Sequence, residues 1–407
     1  MFYEFPVDLS LDEVRAVVAE HNAALGVSAF IEADRGDHVI FNYLVSFDGL
    51  FPQPDGIDPA VDRKRAIMRE LRGLTMCPTT GKVLARKFQK FFNVNEKSFT
   101  QDHLIDWTQS HVVLDKLDGS MISPMMTGGA IRWCTKMGLT EQAAQAERFT
   151  LIRPQYESFA RYCIETGMTP LFEWCSRDQR IVIDYPEDKL VLTAIRDNFS
   201  GEYRSLEALR HFGVVYDIPV VDALATGVGE IKEFLASTRA LKGTEGYVIR
   251  FDNGHMLKVK AEEYCRIHAT HDALRWEKDV WKMVLDETID DVIPYMLPTD
   301  RERVDSFVAD FDKAIVTRAT YLKGLVDGML PSCPTKKDFA LALNARPDLA
   351  DVRSLLFSIE GGRDPVQVVR AHLSKNVSTG TKLEAVRYLV DGIRWRDYFG
   401  HIPDSDD

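Results

Sequence analysis

Apolar and polar positions divide this chain into two textures. Up to about residue 265, short β-rich runs alternate with turn signals and a few helical stretches; beyond it the strand signals stop. Ser10, with Glu13 three residues later, predicts a capped helix over residues 10–24. Val27–Glu32 and His38–Phe47 read as strands, the second rich in β formers. Residues 48–61 carry Gly, Pro and Asp and read as a loop. Arg69–Met76 and Lys82–Phe88 read as strands around the turn Pro78-Thr79-Thr80-Gly81. Between Val112 and Ile122 an apolar run leads in, a turn centred on Asp118-Gly119 interrupts, and a second apolar run leads out: strand, tight turn, strand.

Ile131–Lys136, Leu171–Trp174, Ile181–Asp184 and Leu190–Arg196 are further predicted strands. Glu141–Thr150 and Pro154–Thr166 are predicted helices; Tyr156, Phe159, Ala160 and Cys163 recur at core spacing in the second. Ser205 and Gly213 bracket a helix over Leu206–Phe212, and Ile231–Leu241 is another. Asp252-Asn253-Gly254 joins Gly246–Phe251 to His255–Val259 as a hairpin. Past a boundary near 262–270, Val304, Phe307, Val308, Phe311, Ile315 and Leu322 line a helix opened by Thr299-Asp300-Arg301-Glu302. Thr381-Lys382-Leu383-Glu384 opens a second. The tail His401–Asp407 is expected to fray. The expected class is α+β: antiparallel sheets with flanking helices over residues 1–265, then an all-α domain over 266–407.

Bulk composition narrows the setting. With 45% hydrophobic and 28% charged residues, the chain is ordinary for a globular protein, and no run is apolar enough to span a membrane. The N-terminus Met1-Phe2-Tyr3-Glu4-Phe5-Pro6 lacks the basic start and apolar core of a secretory signal. Six cysteines are scattered without a C-x-x-C pair, which argues against a zinc site or disulfide framework and fits the cytoplasm. A net charge of −12 does not fit indiscriminate coating of nucleic acid. Yet Arg63–Lys97 holds ten Lys/Arg against Glu70 and Glu96, net +8. That run is either a local face for a polyphosphate or RNA end, or a solvated face balanced by acids elsewhere.

Candidate chemistry starts at Lys116, where the first central strand ends. A lysine at a pocket mouth is a nucleophile if its site favours the neutral amine. Lys258 and Lys260 lie two apart in a strand and so share a face, with Leu257 and Val259 on the other. Two cations on one face suit an anion with several oxygens, and they would favour a neutral third lysine nearby. Glu173 in an apolar strand and Glu245 before Gly246 are the carboxylates for a divalent metal.

The order Lys116-Leu117-Asp118-Gly119, Phe172-Glu173, Glu245-Gly246-Tyr247, Lys258-Val259-Lys260 resembles the motifs of covalent nucleotidyltransferases, the superfamily of ATP-dependent ligases and capping enzymes. The chain is most similar to the RNA ligase 1 family of T-even bacteriophages. Glu70-Leu71-Arg72-Gly73, Lys90-Phe91-Phe92-Asn93-Val94-Asn95-Glu96, Gln179-Arg180-Ile181-Val182, Tyr264 and His268 carry that closer resemblance. It covers roughly residues 35–270; over the C-terminal part only length and helical texture are alike.

The resemblance implies an ATP-grasp-like ligase (nucleotidyltransferase) fold and a three-step ligation of RNA 5′-phosphate and 3′-hydroxyl ends through lysyl-AMP. It implies Lys116 as nucleophile, with Asp118, Lys258 and Lys260 completing the catalytic set. Tyr43, Arg72, Lys90, Phe92, Lys136 and Glu173 would join Lys116, Lys258 and Lys260 around ATP; Tyr43 and Phe92 could instead be core. Glu245 and Glu173 would hold Mg2+, with Mn2+ as an alternative. It further implies a tRNA substrate with cleaved anticodon loops, a partner polynucleotide kinase-phosphatase, a monomer, no membrane, and the cytoplasm of a phage-infected bacterium. One departure stands out: Leu117 follows the nucleophile where the T-even enzyme has an acid. DNA ligases and capping enzymes append a β-barrel after the last motif, whereas the residues here read as helices.

Overall fold

The computed structural model describes residues 4–47, 49–178 and 180–396. Gln179 and the tail His401–Asp407 lie outside the described residues. The chain divides into two compact units, Met1–Cys265 and Arg266–Asp407, and the helix Glu262–Ala273 contains the division.

The first unit is α+β, with three sheets. β1 (Phe30–Asp34), β2 (Val39–Tyr43), β3 (Leu74–Met76) and β4 (Val83–Ala85) form one in that order, all antiparallel. The remaining strands are β5 (Phe92–Asn93), β6 (His111–Asp115), β7 (Ser120–Thr127), β8 (Ala130–Cys134), β9 (Met168–Cys175), β10 (Lys189–Asp197), β11 (Ala223–Ala225), β12 (Gly246–Phe251) and β13 (Met256–Lys260). They make a four-stranded sheet, β10-β9-β7-β8, and a five-stranded sheet, β11-β6-β12-β13-β5. The antiparallel expectation holds except where β5 runs parallel to β13. Each sheet buries one apolar set. Phe30, Phe41, Ile67 and Phe92 share a core under the first, and Ile122, Phe159, Phe172 and Leu192 under the second. Val113, Ile249, Leu257 and Val259 pack on the third.

Several local expectations yield to tertiary context. β6 and β7 do not pair, so residues 116–119 are a crossing between two sheets rather than a hairpin turn. Residues 59–70, where the sequence reads as loop over 59–61 and strand over 69–70 with nothing assigned between, form a helix: Asp58 caps it by accepting from Ala60 N at 2.8 Å, and Pro59 opens it. The charged run Asp62–Arg65 hides its periodicity. Ile181–Asp184 is not a strand, because the Val182 and Ile183 amides bond a side chain instead. The helix Leu206–Tyr216 runs through Gly213 and stops at Asp217, which takes a left-handed φ of 53°.

The second unit is helical around one core containing Trp281, Phe311, Leu322, Phe339, Leu356 and Leu389. Its longest helix, Pro298–Met329, starts one residue before the expected box, with no side-chain cap; Asp300 pairs with Arg303 instead. Thr379, not Thr381, caps Gly380–Val386, and a 3-10 turn over Arg387–Val390 follows.

Within the first unit a buried ion cluster fixes the end of the Pro59–Glu70 helix. Arg196 Nη2 donates to Glu70 Oε1 at 2.7 Å and Arg86 Nη2 to the same oxygen at 3.1 Å, all three side chains without exposed surface. Removing one partner of such a cluster strands the others. Glu70→Gln should therefore cost about 3–5 kcal/mol in urea denaturation of this unit; a loss under about 1 kcal/mol would show the cluster is dispensable. A second expectation concerns acid. Burial pushes His255, stacked on Phe251, down from 6.5 to about 3, and Arg69 adds to this. The folded state thus binds fewer protons than the unfolded state between those values, and this stability, present above pH 6.5, is lost as pH falls. His255→Phe should flatten the loss of urea stability between about pH 6 and pH 4.

Candidate active site

The register of the five-stranded sheet gathers the nucleophile candidate and its neighbours. Gly246 pairs with Lys260 across β12 and β13, and Tyr247 pairs with Asp115 across β12 and β6. Lys116, one residue past β6, donates its amide to Gly246 O at 2.9 Å. The side chains converge accordingly. Lys116 Nζ lies 2.7 Å from Glu245 Oε1, and Lys260 Nζ lies 2.9 Å from the same oxygen. Glu245 is buried. Lys258 joins them on the shared face of β13, while Leu257 and Val259 are buried on the other.

The sequence argument made Lys116 the amine discharged by its neighbours. In the structure Lys116 is ion-paired, and Lys258 carries the depression. Burial, then Lys116 and Lys260, push Lys258 down to about 7. Glu173 reaches the site from β9, where it pairs with Met121 of β7. Burial pushes it up to about 8; Lys116 and Arg72 oppose this, and Glu245 adds to it.

Asp118 has a positioning geometry. Its Oδ2 accepts from Val182 N at 2.8 Å and Ile183 N at 2.7 Å, and its Oδ1 accepts from Tyr264 Oη at 2.7 Å. Its own amide donates to Tyr185 Oη at 2.9 Å. Both oxygens are thus engaged in holding the crossing, so Asp118, expected in the catalytic set, has a structural task as well. Nothing in the sequence pointed to Tyr185. Gly119 was read as a turn residue, but its value is room: a Cβ there would sit 2.3 Å from Trp174 O of β9. Leu117 packs on Leu114, Val191, Leu206 and Val221. An acid at that position would enter an apolar cluster, which accounts for the departure.

A second set of cations lies alongside. Lys136 Nζ sits over the Tyr43 ring at 4.8 Å and Lys90 Nζ at 5.1 Å. Burial would raise the Tyr43 phenol, but Lys90, Lys136 and Arg72, which donates to its oxygen, outweigh this and hold it below its ordinary value. Arg72 Nη1 is buried with no hydrogen-bond partner among the described residues. Arg72 also acts on Glu173, and Lys90 on Lys258, so the two sets form one site. Lys87, which sequence reasoning missed, supports it from behind. It is buried and donates to Gly73 O at 2.8 Å and Thr75 Oγ1 at 3.1 Å. Gly73, with φ of 86°, lets Lys136 approach so closely that a Cβ would meet its Cα at 2.7 Å.

Other expectations are corrected. Phe92 is buried core, boxed by Phe51, Phe99 and the cations of Arg69 and Lys90, so its ring is closed to a ligand. Four of the ten cations of the basic run 63–97 are neutralised: Arg63 by Glu13, Lys64 by Glu20, Arg65 by Asp55 and Arg86 by Glu70. Arg72 and Lys90 are the members that reach the site. For a metal, Glu245 and Glu173 are the two carboxylates present, and no cluster of three or more ligating side chains occurs among the described residues. That donor set fits a hard cation that completes its shell with phosphate oxygens and water.

Residues 70–264 match the RNA ligase family model. The chain is similar to a protein of Thermovibrio ammonificans named "Putative RNA ligase", 30% identical over 209 residues, 50% of this chain and 53% of that protein. It is also similar to RNA ligase 1 of bacteriophage TS2126, 28% identical over 209 residues, 47% of this chain and 50% of the other. The chain thus spans about half the length of these relatives. An archaeal ATP-dependent RNA ligase structure aligns with a TM-score of 0.45 at 16% identity, over 66% of this chain and 68% of the other.

The crossing geometry is testable. Gly119→Ala should force β9 and residues 116–119 apart and cost about 1–3 kcal/mol in thermal or urea unfolding. Wild-type stability in this variant would mean the close approach to Trp174 carries no constraint.

Proposed function

We propose that this protein, whose residues 70–264 match the RNA ligase family model, is an ATP-dependent RNA ligase working through a lysyl-AMP intermediate. The observation that carries the reading is the pairing of Lys116 and Lys260 on one buried carboxylate, Glu245, beside Lys258 and the unpartnered Arg72 nitrogen. An amine among several cations supports a site for polyphosphate.

In the first step Lys116 Nζ attacks the α-phosphorus of ATP. An N–P bond forms, the bond to the bridging oxygen breaks, and pyrophosphate leaves with that electron pair. Attack requires the Lys116 amine free of its third proton, and Glu245 Oε1, 2.7 Å away, is near enough to receive it. Lys258 and Lys260 hold phosphate oxygens, and Arg72, Lys90 and Lys136 hold the leaving end; catalysis is mainly positioning and charge neutralisation. Mg2+, or Mn2+ in its place, would be held by Glu245 and Glu173 and would neutralise phosphate charge. AMP then passes to an RNA 5′-phosphate, and a 3′-hydroxyl attacks to seal the strand and release AMP.

The finer reading is repair of tRNA cleaved in the anticodon loop. A kinase-phosphatase would supply the required ends, the helical unit would select RNA, and the monomer would act in the cytoplasm of an infected bacterium. No described helix is long and apolar enough to cross a membrane.

The decisive test is incubation with α-labelled ATP and Mg2+ followed by denaturing electrophoresis. Wild type should retain label, and Lys116→Ala should lose at least about a hundredfold, since no other group replaces a covalent nucleophile. Label surviving in that variant would assign the nucleophile elsewhere. Preferential sealing of a nicked anticodon stem-loop over nicked duplex DNA would support the tRNA reading, and equal sealing would count against it.

A further inference from the structure

Apolar side chains gather outside the site where solvent should disfavour them. Strand β2 is buried from Val39 to Asn42, but directly after Tyr43 the chain exposes Leu44 at 59%, Val45 at 46% and Phe47 at 40%. Directly after Lys136 it exposes Met137 at 44% and Leu139 at 53%. The two segments abut. Asn42 Nδ2 donates to Lys136 O at 3.4 Å and touches Met137 Sδ at 2.7 Å, and Lys136 Nζ lies over the Tyr43 ring. Single exposed apolar residues are ordinary, but five issuing from one junction form a patch, and patches mark interaction surfaces.

The neighbouring charge identifies the partner. Lys90, Lys136 and Arg72 make no ion pair with a carboxylate among the described residues, whereas Arg63, Lys64, Arg65 and Arg86 nearby in sequence all do. A surface that sets unneutralised cations beside exposed apolar groups complements a polymer with anionic phosphates and apolar base faces. Unpaired RNA has both, and its bases are free to leave the stack. A duplex would present phosphates but keep its bases enclosed.

We propose that Leu44, Val45, Phe47, Met137 and Leu139 form a platform that receives unstacked bases of a single-stranded RNA end, while Lys136 and Lys90, freed once pyrophosphate has left, hold its phosphates. This rests on the ligase reading and deepens it: the platform brings the RNA to the rim of the site that holds Lys116. Selectivity for frayed or looped ends over continuous duplex follows, because only those ends expose bases to the apolar rim.

The test measures binding of the full chain to a fluorescent, 5′-phosphorylated single-stranded oligoribonucleotide by anisotropy, over a salt series. Val45→Ser with Leu139→Ser should weaken binding about tenfold and leave the slope of log Kd against log salt unchanged, because an apolar contact releases no counterion. Lys136→Ala should weaken binding and lower the slope by about one. Thermal unfolding of each variant confirms that these exposed substitutions leave the fold intact. Binding by the double serine variant within about twofold of wild type, or a slope that falls with it, would overturn the platform. Failure of the wild-type chain to take label from ATP would instead overturn the ligase reading, so the two failures are separable.

Discussion

Two ammonium groups share one oxygen of Glu245 in a place where the carboxylate has little contact with water. Removing that acid would leave Lys116 and Lys260 beside Lys258 without the carboxylate they share, an arrangement that repulsion and desolvation together make costly. The constraint runs outward from there. The carboxylate has to emerge at the start of β12, Lys260 at the end of β13, and Lys116 just past β6, which is the register the sheet adopts. The fold of the first unit can be understood as the frame that makes this one row of atoms affordable.

The same pairing sets the chemical state of the resting site. Lys116 is ion-paired, the depression of basicity falls on Lys258, and burial raises Glu173. On the proposed reading, an incoming polyphosphate would change that balance, because it would offer negative charge to every cation at once. It would compete with Glu245 for Lys260 and satisfy the orphaned nitrogen of Arg72. Charge compensation, more than any single contact, would then tie ligand entry to release of the Lys116 amine.

Support behind the site is as specific as the site itself. Asp118 spends both carboxylate oxygens on Val182, Ile183 and Tyr264, locking the crossing between sheets. Lys87 holds Gly73 O, and Gly73 in turn permits the close passage of Lys136. Glu70 is clamped by Arg86 and Arg196 two residues before Arg72. These groups touch no expected ligand, yet each determines where a cation of the site can stand.

What was legible in the sequence was whatever depends on local spacing. Alternation along β13 placed Lys258 and Lys260 on one face, Asp252-Asn253-Gly254 announced its hairpin, and the loss of strand signals near residue 265 marked the change to helices. Motif order then named Lys116, Glu173 and Glu245 together. Tertiary structure alone decided what depends on partners distant in the chain. It split Val112–Ile122 between two sheets, neutralised Arg63, Lys64, Arg65 and Arg86 of the basic run, sank Phe92 into the core, and recruited Lys87 and Tyr185. The physical reason is that periodicity reports which face a side chain takes on its own element. The charge it meets and the solvent it loses come from residues up to about a hundred positions away or more, and those appear only once the sheets are packed.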